Sequence, residues 1–241
     1  VDISLIFIVS GKPAGLWPLT LSQNSNSKYL SSQCSHILSP ILIPDCSPKI
    51  VKKIQSCCLN IVNKICEKYN QDNWSSLTPF INTSFVNSWH LACLAKGASS
   101  RSQYNMYIDL SKDISFIKSN YRKSYKSLIS KSKKLWNVRI HGSSIDENIW
   151  KEFINLHKHV SGRVTRSKKT WEIQHKDLLN NSAILISIHK ECEEMVGAAL
   201  ITFSMHEARY DVGAYNRDLF DKPIGHIAQH TAIEELKKRN I

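Results

Sequence analysis

The residues best able to do chemistry gather near the end of the chain. Tyr210, Tyr215 and Arg217 close one apolar run, and Lys222, Gly225 and His226 stand just beyond it. As local structure, Ala208–Tyr215 reads as a strand, 216–222 as a loop, and Pro223 to about Arg239 as a helix. Pro223 suits a first helical position, where its missing N–H has no partner to lose. A strand turning through a basic loop into a helix N-terminus offers free backbone N–H groups and the positive end of a helix dipole. Lys222 and Gly225 would hold an anion there. His226, in the first helical turn, could accept a proton, because that helix end disfavours its charged form; Tyr215 could donate one. The plainer readings are a capping or solvent-facing histidine, half-buried strand tyrosines and a loop lysine.

A second group lies upstream. Arg163, Thr165 and Arg166 follow Gly162 in a loop, and Trp171 and Gln174 sit on the helix after it. Guanidinium forks bind phosphate or carboxylate in a bidentate way. Otherwise these are surface arginines at a helix entrance, and Trp171 packs the floor beneath them. A third group is basic: Lys118, Arg122, Lys123, Lys126, Lys131, Lys133, Lys134 and Arg139, with no Asp or Glu among them. With a net charge of +12, this stretch favours a phosphate-bearing partner, whether nucleic acid, nucleotide or anionic lipid. Arg122 and Lys126 are the members placed at the anion site.

His226, His230 and Glu234 share one helical stripe, but His-Glu-x-x-His is absent and no third ligand is specified, so no metal is expected. The seven cysteines show no CxxC spacing and no arrangement with His or Asp, which argues against a disulfide scaffold or thiol catalysis and fits a reduced, cytoplasmic setting. The run Ile3–Val9 is too short to span a bilayer.

The elements that must position these groups follow from periodicity. Ile3–Val9 and Leu16–Leu21 read as a hairpin around 11–15, 24–33 as a polar loop, and Ile37–Pro44 as an extended segment. Ser47-Pro48 opens a helix to about Tyr69, Leu77–Ile81 is a strand, and 84–96 a helix ended by Gly97. Tyr104–Leu110 is a strand and Ile114–Lys134 one helix, buried through Ile114, Ile117, Tyr121, Tyr125 and Leu128. Trp136–His141 is a strand, and Ser144 to Glu147 has capping-box spacing. The next helix turns Trp150, Phe153, Ile154 and His157 inward, and the one after it is marked by Trp171, Ile173, Leu178 and Leu179. Two apolar runs, 183–188 and 195–203, form a hairpin before the Ala208 strand. This order gives an α/β (α+β) fold with a mostly antiparallel central sheet flanked by helices. Gly15–Ser22 overlays Gly197–Ser204 without a gap, with Gly, Thr and Ser in step. That points to two tandem related units, 1–103 and 104–241. The start at Val1 and the stop inside a helix suggest that both are incomplete.

The basic helix with 120–128, the Gly162–Arg166 loop ahead of Trp171, and the Gly197 hairpin with 210–217 and 221–226 together resemble the FemAB family of tandem GNAT-fold transferases. They also resemble the GNAT-like proteins of surface-polysaccharide biosynthesis. The resemblance covers most of Tyr104–Ile241 and the first unit in outline. It implies transfer of an acyl or aminoacyl group from acyl-CoA or aminoacyl-tRNA to an amine of a cell-envelope or surface-glycan precursor. The acceptor would be an amino-sugar nucleotide or a peptidoglycan precursor. No cofactor would be bound permanently, and a tRNA contact is implied. In this sequence only Gly225 stands where acetyl-CoA-binding GNAT domains carry a Gly-rich phosphate loop. A non-catalytic basic module that binds RNA or nucleotides is the rival reading.

Overall fold

Alternating apolar residues build the first hairpin: β1 (Leu5–Val9) and β2 (Lys12–Trp17). Ser10 and Gly11 join them at φ 50° and 76°, the left-handed pair that a two-residue hairpin turn needs. The connection is therefore shorter than the expected 11–15 loop, and Pro13 lies within the strand. The structure is a computed structural model that describes residues 1–23, 28–32, 36–71, 73–78, 86–102 and 106–241. It divides into two compact units, Val1–Tyr104 and Asn105–Ile241.

In the first unit β3 (Thr20–Gln23) pairs antiparallel with β4 (Lys28–Ser31). Lys28–Ser31 was expected as loop; it is a strand because Leu30 is buried in the core. Residues 24–27 and 33 of that expected loop lie outside the described residues. β5 (Ile37–Leu38) and β6 (Ile41–Leu42) follow, and β6 completes a sheet of order β1-β2-β6. Helix α1 (Pro48–Lys68) starts as expected, the Ser47 side chain accepting from the Ile50 N–H. β7 (Ser76–Leu77) pairs parallel with β5; residues 79–81 of the expected Leu77–Ile81 strand lie outside the described residues. Helix α2 (Ser88–Leu94) is capped by Asn87, and residues 84–85 of the expected 84–96 helix lie outside the described residues. One sheet face, with Leu5, Phe7, Trp17 and Leu42, packs against α1 through Ile54, Cys58 and Val62. The other face leaves Ile6, Ile8, Leu16, Ile41 and Ile43 exposed, Ile6 at 69%.

Of the expected Tyr104–Leu110 strand, residues 104–105 lie outside the described residues and 106–110 form no strand; Met106, Tyr107 and Ile108 are exposed and pair with nothing among the described residues. The expected Ile114–Lys134 helix is two helices, α3 (Ile114–Ser119) and α4 (Lys123–Leu135). The break turns Tyr121 toward His230, ring to ring at 5.9 Å, and leaves Tyr125 exposed instead of buried. β8 (Asn137–His141) leads to α5 (Glu147–Ser161). Its N-cap is Asp146, accepting from the Asn148 N–H, so the expected Ser144 box is not formed. Helix α6 (Lys168–Leu179) buries Trp171 and Leu178, while Ile173 and Leu179 point to solvent. β9 (Ala183–His189), β10 (Met195–Phe203) and β11 (Ala208–Tyr215) complete an antiparallel sheet of order β11-β10-β9-β8. A short 3-10 turn, Arg217–Leu219, leads to α7 (Gly225–Lys238). Helices α4 and α7 cover one face of the sheet through Ile129, Ile227 and Ala228. Helices α5 and α6 cover the other through Trp150, Phe153, Trp171 and Leu178. No helix among the described residues is long and apolar enough to cross a membrane.

Candidate functional site

The register of β10 with β11 places Gly197 opposite Tyr215. A Cβ on Gly197 would come within 2.9 Å of the Tyr215 ring and 3.2 Å of Ile224, so glycine makes the room in which that ring lies. The ring reaches across to Gly225 at the start of α7, whose Cβ would lie 3.8 Å from it. The Tyr215 hydroxyl hydrogen-bonds that of Tyr210 at 2.8 Å. Burial raises the Tyr215 phenol well above the usual tyrosine range, and the neighbouring Tyr210 adds to the shift. Burial of its hydroxyl end raises Tyr210 too, although 42% of that residue's surface is exposed. Both phenols therefore keep their protons at neutral pH and can serve as donors.

Helix α7 begins at Gly225, two residues later than the sequence suggested. The carbonyl of Pro223 is occupied before the helix starts: it accepts from the buried Ser132 hydroxyl and from Trp136 Nε1 at 3.3 Å. The N-cap residue, Ile224, has no side chain that could bond the first amides, so the helix opens uncapped. Such an end attracts negative charge. The corner is narrower than an open anion pocket, because the Tyr215 ring and the buried Ile224 form its floor. A cavity of about 320 Å³ opens at the end of β11, between His159–Gly162 at the end of α5 and Asn216–Asp218. Arg217 lines it, while Lys222 is exposed on the adjoining loop.

His226 stands in the first turn of α7 with its ring edge-on to Tyr125, centroids 4.8 Å apart. The Arg122 guanidinium lies over the same tyrosine at 6.0 Å. Arg122, Tyr125 and His226 thus form one cluster beside Gly225. Lys126 is turned aside, donating to the Ser119 carbonyl at 2.9 Å. Lys118 pairs with Glu234 at 2.6 Å, and Arg139 pairs with Glu193.

The second arginine group separates. At the β10–β11 bulge Asp211 falls out of the ladder, and its carbonyl accepts from Arg166 Nη2 at 3.3 Å. The Arg166 guanidinium also lies over the Trp171 ring at 5.7 Å. Arg163 and Thr165 remain exposed, so the two arginines do not form one fork. Around Trp171, His157 is edge-on at 5.1 Å and Trp150 at 5.8 Å, with His175 stacked on Trp150. Arg166 Nε, Gln174 Oε1 and His175 Nε2 are buried polar atoms without a hydrogen-bond partner among the described residues. Burial, and then Arg166, lowers the pKa of His157.

These groups sit on a known scaffold. No protein-family model matches the sequence, and no curated protein matches it. Solved structures do. The crystal structure of FemX matches over 99% of this chain and 77% of its own, with TM-score 0.62 and 11% identity. A tandem GNAT protein from the clavulanic acid biosynthesis pathway matches over 100% and 71%, with TM-score 0.60 and 9% identity. The C-terminal domain of a putative lysylphosphatidylglycerol synthetase from Agrobacterium fabrum matches over 99% and 67%, with TM-score 0.55 and 9% identity. The fold is GNAT-like.

Within this GNAT-like fold, the sequence assigned no site role to Tyr125, His157, His175 or Asp211. Tyr125 was legible only as a stripe residue, and only the break before α4 frees it to meet His226. Asp211 carried no signal, because a bulge shows itself in the register and not in composition. A further polar chain crosses the sheet. His189 Nδ1–H donates to the Glu193 carbonyl at 2.9 Å, which leaves Nε2 to accept from the Ser187 hydroxyl at 2.8 Å. His141 Nε2–H then donates to Ser187 at 2.7 Å. Burial lowers the pKa of His141, with His189 and Arg139 adding to the shift.

Proposed function

We propose that the chain is an acyl- or aminoacyltransferase that moves an acyl group from an anionic carrier to an amine. The observation that carries this reading is the uncapped start of α7 beside the Tyr210–Tyr215 hydroxyl pair. The carrier's phosphate would lie at the α7 amides with Lys222, Gly225 and Arg122, and Arg217 would line the entrance. The amine nitrogen forms the new C–N bond as the carrier's C–S or C–O bond breaks. His226 takes the amine's proton, and Tyr215 gives its own to the leaving sulfur or oxygen. Arg166, Trp171 and Gln174 would bind the acceptor, using the polar atoms left without partners; Arg163, Thr165 and Tyr210 would border it. The donor would be acyl-CoA or aminoacyl-tRNA, with nothing bound permanently. The acceptor would be a cell-envelope or surface-glycan precursor such as an amino-sugar nucleotide or a peptidoglycan precursor, reached in the cytoplasm. We further propose that 1–103 and 104–241 are related GNAT-like units. Supporting this, Gly15 and Gly197 each stand in the central strand of a three-strand antiparallel set.

Incubating the whole chain with acyl-CoA and aminoacyl-tRNA donors and amine acceptors, with product read by mass spectrometry, tests the reading. Tyr215→Phe should keep the fold and lower kcat by about 10²–10⁴-fold. Absence of transfer from every donor overturns it.

A second reading, non-catalytic RNA binding, is favoured by one observation. Lys123, Lys131, Lys133 and Lys134 are exposed and have no ion-pair partner among the described residues. Steeply salt-dependent RNA binding without transfer would support it.

A further inference from the structure

Helix α1 ends in a full Schellman motif. The Gln71 N–H bonds the Cys66 carbonyl at 2.9 Å, the Asn70 N–H bonds the Glu67 carbonyl at 3.3 Å, and Asn70 takes φ 51°. This reversal leaves a cavity of about 540 Å³ lined by Asn63, Cys66, Glu67, Asn70, Gln71 and Trp74. That size lies in the roughly 300–1,000 Å³ range of small-molecule sites. We infer that this cavity binds a small hydroxylated amine through its ammonium group.

The chemistry of the lining selects the ligand. The C-terminal end of a helix carries partial negative charge, and the Glu67 carboxylate stands in its last full turn. The Glu67 carboxylate makes no hydrogen bond or ion pair among the described residues. Among the cations near this end of the helix, Lys28 and Lys68 lie over the Tyr69 ring, at 5.0 and 5.7 Å, and no lysine or arginine among the described residues lines the cavity. An anion would therefore meet the Glu67 charge with no cation in the lining to offset it, and a neutral molecule would gain nothing from that charge. An ammonium would pair with Glu67 and meet the π surface of Trp74. Gln71 Oε1 already accepts from the Leu30 N–H at 3.3 Å, which leaves its amide N–H groups for ligand hydroxyls. Asn63 and Asn70 add further amides of both polarities.

Ligand-observed NMR on the whole chain, with glucosamine and glucose as a charged and neutral pair, tests this. Glucosamine should bind about tenfold more tightly than glucose, the gain of one charge-assisted hydrogen bond. Glu67→Gln should remove that difference, and Trp74→Leu should weaken both sugars. Circular dichroism checks that each variant folds; Glu67 is exposed, so its replacement leaves the core intact. Equal affinity for the two sugars, no saturable binding of glucosamine, or binding indifferent to Glu67→Gln would each overturn the assignment. Binding is read with no acyl donor present, so the outcome is independent of the transferase reading.

Discussion

In the first unit Leu5, Phe7 and Trp17 face α1, while Ile6, Leu16 and Ile41 on the reverse of the same strands face solvent. In the second unit both faces of the sheet are covered, by α4 and α7 on one side and α5 and α6 on the other. The difference shows where hydrophobic burial stabilises each unit. Every residue of β9 is buried, so that strand gains from both sides; β1 alternates and gains from one. The bare row of Ile6, Leu16 and Ile41 is the larger anomaly, since a contiguous apolar sheet face is uncommon on a protein surface.

The largest effect expected from this contrast comes from truncating each sheet. Leu200→Ala, in the doubly covered β10, should cost about 2–5 kcal/mol. Ile6→Thr should change stability by no more than about 0.5 kcal/mol. Urea unfolding followed by hydrogen exchange in each unit measures both. An equal cost would mean that the bare face is covered in solution.

The central-strand glycines give the next contrast. A Cβ at Gly15 would lie 2.5 Å from the Ile41 backbone oxygen, whereas one at Gly197 would meet the movable Tyr215 ring. Gly197→Ala should cost about 1–3 kcal/mol, and Gly15→Ala more, because a backbone yields less than a side chain. A neutral Gly15→Ala in thermal melts would contradict the β2–β6 register.

Acid should separate the units further. His141 and His157, both in the second unit, have pKa values lowered from 6.5. Below that value the unfolded chain binds protons that the folded unit refuses. Stability is thus intact above about pH 6.5 and is lost as pH falls toward the folded values. Exchange protection of β9 and β10 amides should drop as pH falls below about 6.5, and His141→Gln should flatten the drop. A flat profile in the unmodified chain would sink the assignment. Ser132→Ala should cost only about 1 kcal/mol, because Trp136 Nε1 still satisfies the Pro223 carbonyl.

Much of the second unit could be read from the chain. The runs 183–188, 195–203 and 208–215 became β9, β10 and β11, because a strand buried on both faces is written as an unbroken apolar run. The first unit was less legible. Lys28–Ser31 hid a strand in polar composition, and the short pairs β5 and β7 depend on partners far away in sequence. Of the candidate site, Tyr210 and Tyr215 do meet, and His226 does stand beside Gly225. The Arg163–Arg166 pairing did not follow from spacing, since one side chain found a bulge carbonyl and the other stays exposed.

By itself, then, the sequence determined which residues alternate inward, where Ser47 and Gly11 start and turn elements, and that a basic stretch and a tyrosine-bearing strand exist. Only the tertiary structure decided that Tyr215 would form the floor of the corner it borders, that Tyr125 would leave its stripe for His226, and that Glu67 would face a cavity. Inward-facing periodicity is a local property of the backbone repeat. Convergence of side chains from separate elements is set by register, bulges and helix breaks, and these depend on every neighbour at once.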